Sequence, residues 1–246
     1  MNRTVSILIP CHNAAPHLAQ CIESAIAQQP DEILLLDDGS TDESMAISAT
    51  YPKVTAWTQD NQGAQTTRNN LFERSRCDWI QYLDADDFLF PGKIAQQLSQ
   101  LSEWQIGYCD FRIDRGNGKI EDFRMQHTLL ESLLLWEFIP QTNALLFPRS
   151  ALAEVAWDET IEAVHEHKLI FDLLRNGWEF QHNPFIGFEY RQNWRADQIN
   201  QKLPRRLRAR EALLKEMNDL GGRFAVPAQT WKRLELEKNH HATITI

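Results

Sequence analysis

Three carboxylates crowd into four positions at Asp84-Ala85-Asp86-Asp87, directly after the apolar run 79–83. Like charges this close repel and raise one another's pKa, a cost that a divalent cation relieves. Mg²⁺ and Mn²⁺ take oxygen ligands, and Mg²⁺ is commonly held by one or two carboxylates together with substrate phosphates. The competing reading is an acidic turn that caps the next helix. A second acidic stretch, Asp37-Asp38-Gly39-Ser40, also follows an apolar run. There Asp38 can accept hydrogen bonds from a base or ribose, as acidic residues do at the strand ends of nucleotide folds, or serve as a plain turn. Arg68, within Gln62-Gly63-Ala64-Gln65-Thr66-Thr67-Arg68-Asn69, can neutralise phosphate or fix the acidic cluster, or be a solvated helix residue.

The elements that must position these groups alternate. Residues 5–9 are a short continuous apolar run ending at Pro10, suited to a buried parallel strand. Leu18, Cys21, Ile22, Ala25 and Ile26 repeat at helical spacing, so 15–28 is expected to be a helix with one buried face. Residues 33–36 form the second strand, and Ser40 with Glu43 has the form of a capping box opening the second helix. A strand at 54–57, a helix at 63–76 and a strand at 79–83 follow, and Pro91 opens another helix in its favoured first position. The alternation predicts an α/β fold with a mostly parallel sheet covered by helices on both faces. Ligands of such sheets sit at the carboxyl ends of the strands. Pro10-Cys11-His12-Asn13, Asp37-Asp38 and Asp84 to Asp87 all fall there. Beyond residue 100 the pattern loosens: strands at 106–113 and 143–147, helices at 129–138, 166–175 (stopping at Gly177, a C-cap) and 203–220.

Composition narrows the function classes. The chain has 246 residues, 25 Lys+Arg against 34 Asp+Glu and a net charge of -9, against the basic surplus usual for nucleic-acid binders. Collagen-like, disordered and disulfide-scaffold compositions do not fit. Residues 1–100 hold 13 Asp/Glu and 6 Lys/Arg, whereas 201–246 hold 10 Lys/Arg and 5 Asp/Glu. No run reaches the roughly 18 apolar residues of a membrane span. Met1-Asn2-Arg3 leads into the first strand rather than a signal peptide. The four cysteines have no metal-knuckle or CxxC spacing, as expected for reduced thiols in a cytoplasmic protein. Arg205, Arg206, Arg208 and Arg210 form a basic cluster, a solvated helix face or a peripheral contact with anionic membrane or a lipid-linked acceptor.

Taken in order, VSILIPCHNAAPHL, EILLLDDGSTDES, NQGAQTTRNN and WIQYLDADDFLFPGKI resemble the family 2 glycosyltransferases, which have a GT-A fold and a DxD motif. The resemblance is clear over residues 4–100 and weaker to about 190. It implies a single domain over 1–200, with a donor half (1–100) and an acceptor half (101–200), and a helical extension over 201–246. It also implies transfer of a sugar from a nucleotide-diphosphate sugar, by family default a UDP-sugar, to a hydroxyl of a glycan, lipid-linked or small-molecule acceptor, with inversion. By motif position Pro10, His12, Asn13, Asp38, Arg68 and Asp84 would meet the nucleotide. Asp86, with Asp84, would bind Mn²⁺ or Mg²⁺. Members usually carry Glu-Asp at the start of a late helix, the Asp being the general base; here that position aligns with His167, with Glu166 beside it, and histidine is a competent base near neutral pH. Arg191 follows from a late Tyr-Arg and would contact diphosphate or form an ion pair, and Gln141 and Asn143 would touch the acceptor. Trp136, Trp157 and Trp178 suit the core better than a sugar platform. His17, His127, His182, His240 and His241 are expected at the surface. Competing readings are a nucleotidyltransferase, a phospho-acceptor receiver domain, and a non-catalytic nucleotide-sugar binder lacking the usual base.

Overall fold

The computed structural model describes residues 3–116, 118–137, 139–191 and 196–244, apart from the side chains of 196–202, 239 and 241–244. The elements run β1 (Val5–Cys11), α1 (Ala15–Ala27), β2 (Glu32–Asp38), α2 (Ser44–Ser48), β3 (Thr55–Gln59), α3 (Ala64–Arg74), β4 (Trp79–Tyr82), β5 (Phe88–Leu89) and α4 (Lys93–Leu98). They continue with β6 (Gln105–Asp114), β7 (Ile120–Phe123), α5 (Leu129–Leu135), β8 (Leu145–Pro148), α6 (Arg149–Glu154), α7 (His165–Arg175), β9 (Glu179–Arg191), α8 (Ala196–Leu220) and α9 (Ala228–Ile244). One sheet has the order β3-β2-β1-β4-β8-β6-β9-β5, with β7 on the free side of the β6 end.

β1 to β4 pair in parallel. β8 is antiparallel to both β4 and β6, and β9 is parallel to β6. Two reversals restore the direction, so β6 and β9 point the same way as β1, β2 and β4. Their carboxyl ends therefore reach the same edge of the sheet, although the 108 residues 83–190 separate β4 from Arg191.

Side-chain alternation along each strand divides the interior in two. Val5, Ile7 and Ile9 face α1, α2 and α4, and Leu8, Leu34 and Leu36 face α3 and α5 to α9. Each fully buried aliphatic side chain contributes roughly 1.5–3 kcal/mol, which holds the short parallel strands against loss of register. α8 crosses the boundary expected at residue 200. Its Leu207, Leu213, Leu214 and Met217 share one cluster with Leu169 and Phe171 of α7, so the C-terminal helices continue the core.

Three expectations change. Ser40 and Glu43 form no capping box: α2 starts at Ser44 without a side-chain cap, because the Ser40 hydroxyl accepts from the Asn13 amide at 2.8 Å. Pro91 stands before α4, whose N-cap is Gly92. The helix expected over 129–138 ends at Leu135, capped by a true box of Thr128 and Glu131; Phe138 lies outside the described residues. No helix among the described residues is long and apolar enough to cross a membrane, and the four cysteines are free and buried.

Candidate active site

The loops at the carboxyl edge surround a cleft of about 1040 Å³, lined by Pro10, His12, Asn61, Asp84, Asp86 and His17 among others. The loops after β1 and β2 are tied together through Asn13. Its amide donates to Ser40, its side-chain oxygen accepts from the Thr41 amide at 2.9 Å, and its Nδ2 lies 3.0 Å from His12 Nε2. Asn13 adopts a φ of 51°, a left-handed conformation that asparagine tolerates better than most residues. His12 Nδ1 lies 2.8 Å from the Asp38 carbonyl, which fixes the ring at the cleft wall.

Asp38 is 4% exposed, and protein donors occupy most of its carboxylate. It accepts from the Gln62 amide at 2.8 Å, the Gly63 amide at 2.9 Å and Gln59 Nε2 at 2.9 Å. These bonds hold the turn that starts α3, where Gly63 at φ 91° takes a conformation an L side chain rarely adopts. A carboxylate has about four acceptor positions, so Asp38 can offer one more bond to a ligand.

α3 then presents Arg68, 7% exposed. It donates to Asp84 Oδ1 at 2.7 Å, and its guanidinium lies 4.7 Å from the Trp157 ring centroid. Burial lowers the Arg68 pKa, but Asp84 and Glu166 act in the opposite sense and leave it above the ordinary value. Trp157 is buried at 3% and serves as the platform for Arg68.

The acidic loop divides its three carboxylates. Asp84 is paired with Arg68, and its amide donates to Asn143 Oδ1 at 2.7 Å. Asp87, 1% exposed, accepts from Asn143 Nδ2 at 2.5 Å and from the Arg191 amide at 2.8 Å. Burial, then Asp86 and Asp84, push its pKa well above the carboxylate range. Asp86 stays half-buried on the cleft wall, and no other described residue donates a hydrogen bond to its carboxylate; burial and then Asp84 raise its pKa to about 6. No group of three or more His, Cys, Asp or Glu converges into a protein-only metal cage among the described residues. One free carboxylate beside one singly paired carboxylate is the donor set of a cation shared with substrate phosphates, so the residues fit Mn²⁺ or Mg²⁺ held that way.

At the end of β9, Arg191 places Nη1 3.4 Å from the Asp86 carbonyl and 3.5 Å from His17 Nδ1, and also donates to Gln20. Burial and then Arg191 lower the His17 pKa. His17 is thus part of the cleft, not the surface residue expected. His182, expected outside as well, bonds Asp110 at 2.8 Å. His127 and His240 are exposed, and the side chain of His241 lies outside the described residues.

The late helix requires the largest correction. His167 faces away from the cleft: its ring stacks on Trp136 with centroids 4.3 Å apart. Burial, then Arg206 and Arg210, lower its pKa to about 3. Glu166 lies one residue away, about 100° around the helix. It accepts from Thr142 Oγ1 at 2.9 Å and acts on Arg68 and Tyr190. Of the two candidates for the base, Glu166 is therefore the one coupled to the cleft residue Arg68, and His167 the one packed on Trp136. Asn143 is fully buried and clamps the acidic loop, so it does not face an acceptor. Gln141 is half-buried beside it, bonding the Ile139 carbonyl at 3.4 Å. Of the basic cluster, Arg205, Arg206 and Arg208 are exposed. Arg210 is 4% exposed and bonds Glu237 at 2.6 Å, so it is an internal ion pair.

Sequence reasoning missed Asn61, Arg115 and Gly116 on the cleft wall. Arg115 follows β6, whose direction brings it to this edge only through the two sheet reversals, and no local pattern signals them.

A mostly parallel sheet with its acidic loop and polar turns gathered on one carboxyl edge is the GT-A architecture. Residues 6–162 match the model of Glycosyl transferase family 2, and the chain belongs to that family. An uncharacterized glycosyltransferase of Rickettsia typhi is 28% identical over 195 residues, covering 70% of this chain and 58% of that protein. Succinoglycan biosynthesis protein ExoU of Rhizobium meliloti is 37% identical over 102 residues, 39% of this chain and 30% of that protein. The chain thus spans less than two thirds of the length of these relatives. In fold it is similar to S. aureus TarS 1-349 in complex with UDP-GlcNAc, with a TM-score of 0.67 at 14% identity, over 86% of this chain and 66% of that one.

Proposed function

We propose that this chain transfers a sugar from a nucleoside-diphosphate sugar to an acceptor hydroxyl, with inversion and with a divalent cation. The observation that carries the reading is the division of labour in the acidic loop: Asp84 and Asp87 are tied to Arg68, Asn143 and Arg191, while Asp86 is left free toward the cleft. Family membership favours sugar transfer over nucleotidyl transfer, and a related fold binds UDP-GlcNAc.

In this reading Pro10, His12 and the remaining acceptor position of Asp38 meet the base and ribose. Asp86, with Asp84, would hold Mn²⁺ or Mg²⁺, which supplies positive charge against the diphosphate as it leaves. Arg191 lies beside the same loop and adds a fixed cation there. Glu166 takes the proton from the acceptor hydroxyl, its carboxylate oriented by Thr142 and balanced by Arg68. Direct attack by that oxygen on the face opposite the leaving diphosphate inverts the anomeric centre. The exposed Arg205, Arg206 and Arg208 suit an anionic membrane surface or lipid-linked acceptor at the start of α8.

The test is a hydrolysis screen across UDP-, GDP- and dTDP-sugars with Mn²⁺, reading release of the nucleoside diphosphate. One nucleotide class should be turned over by the parent and not by Asp86→Ala. Binding of a nucleotide sugar without hydrolysis or transfer for any donor would instead make the chain a non-catalytic binder.

A further inference from the structure

Beneath the acidic loop lies a polar chain that no ligand can touch. Gln81 interrupts the apolar strand β4 and is fully buried, and Lys93 of α4 is 1% exposed. The Lys93 amine donates to Gln81 Oε1. This sets the amide's orientation, because an amide has one accepting and one donating end. The donating Nε2 is thereby directed to the carbonyls of Tyr82, at 2.5 Å, and Asn143, at 3.0 Å. Asn143, held from its own backbone, uses both atoms of its side chain on the loop above: Oδ1 accepts from the Asp84 amide at 2.7 Å, and Nδ2 donates to Asp87 at 2.5 Å. The chain therefore ends on both residues that flank Ala85-Asp86.

Room for the lysine is made deliberately. A Cβ on Gly187 of β9 would lie 2.8 Å from Lys93 Cγ and 2.4 Å from Cys109 Sγ. The β6–β9 pairing also shifts register beside Cys109. A buried amine is costly unless bonded, and an apolar residue at 93 would satisfy the core without needing Gln81. The geometry of the loop is what the arrangement supplies.

We propose that Lys93 and Gln81 are positioning residues that act through Asn143 to hold the Asp84–Asp87 loop in its cation-binding and donor-binding shape. This rests on reading that loop as the donor site.

Two measurements test it. Amide hydrogen exchange needs no ligand: in Lys93→Met, the Asp84 and Arg191 amides should exchange about tenfold faster, the effect of about one lost hydrogen bond, while the Ile7 and Leu8 amides of β1 keep the parent rate. Calorimetry of UDP with Mn²⁺ and with EDTA should show the metal-dependent gain in affinity reduced about tenfold, with affinity in EDTA unchanged. Gln81→Met should reproduce both effects and replaces Lys93→Met if that variant does not fold. Parent-like exchange at Asp84 in a folded variant would overturn the proposal. So would faster exchange spread equally over β1, or an unchanged metal-dependent gain. A parent chain without any metal-dependent gain for UDP, GDP or dTDP would refute the donor reading itself, and exchange at Asp84 would still decide whether the network holds the loop.

Discussion

The loops that wall the cleft and the helix start coupled to them through Arg68 are built in different ways. On one side, the loops after β1, β2 and β4 are cross-tied by side chains bonding neighbouring backbones: Asn13 to Ser40 and Thr41, Asp38 to Gln62 and Gly63, Asn143 to Asp84. On the other, the start of α7 presents Glu166, which accepts one bond from Thr142 and acts on Arg68, while its neighbour His167 stacks on Trp136. A wall of interlocked loops gives fixed geometry for a charged ligand, whereas successive residues of a helix start point about 100° apart, so one residue decides which side chain is turned toward Arg68. The loops should answer substitution with changes in stability and affinity, the helix start with changes in turnover.

The largest effect should come from separating the neighbours on α7. Glu166→Gln is expected to lower turnover by roughly 10²–10⁴-fold, the range for loss of a general base, with donor affinity unchanged by calorimetry. His167→Phe, which keeps a ring against Trp136, should stay within about twofold of the parent. Equal losses in the two variants would erase the distinction between the two faces of the helix.

Next comes the interlocked wall. Asp38→Ala removes three bonds and leaves the Gln62 and Gly63 amides without their carboxylate, so denaturant unfolding should show a loss of about 3 kcal/mol, given about 1–3 kcal/mol for a buried group left unpaired. A stability loss near zero would mean these ties do not hold the loops.

A smaller effect is expected in the pH dependence of stability. Above pH 6.5 His167 is neutral in both the folded and the unfolded chain and contributes nothing. Because burial holds its folded pKa down at about 3, the unfolded chain alone takes the proton as the pH falls below 6.5. Stability is therefore lost from pH 6.5 down to about 3. His167→Phe should flatten that part of the curve, and an unchanged slope would show the ring is not buried against Trp136.

The smallest effect lies outside the cleft. Replacing Arg205, Arg206 and Arg208 by alanine should weaken sedimentation with phosphatidylserine vesicles at low salt about thirtyfold, because Arg206 and Arg208 contribute about 1 kcal/mol each near such a surface and Arg205 already faces Glu162 at 3.4 Å. Hydrolysis of the donor should be unaffected. Vesicle binding equal to the parent's would remove the membrane role.

The same contrast explains what could be read from the sequence. In the first hundred residues each polar cluster follows its own parallel strand, so chain order alone places His12, Asp38 and Asp84 on one edge. The second half lacks that rule. β9 mixes Gln181, His182 and Asn183 with Pro184 and Gly187, which hides its period, yet it is the strand that delivers Arg191. The sequence left both 166 and 167 open as the base, because both are polar at a helix start, and the packing of Trp136 on His167 distinguishes them. Ser40 and Glu43 match a capping box by type, but a long-range bond from Asn13 takes the hydroxyl. Gln81 did leave a signal, a polar residue inside an otherwise apolar buried strand.

A cation on Asp86 is proposed to hold a nucleoside diphosphate in the cleft. UDP titrated into the parent chain and into Asp86→Ala, each with Mn²⁺ and with EDTA, separates the metal's share of the affinity. Mn²⁺ should strengthen binding to the parent and make no difference to the variant; the same Mn²⁺-dependent gain in both proteins would rule out Asp86 as the cation's ligand.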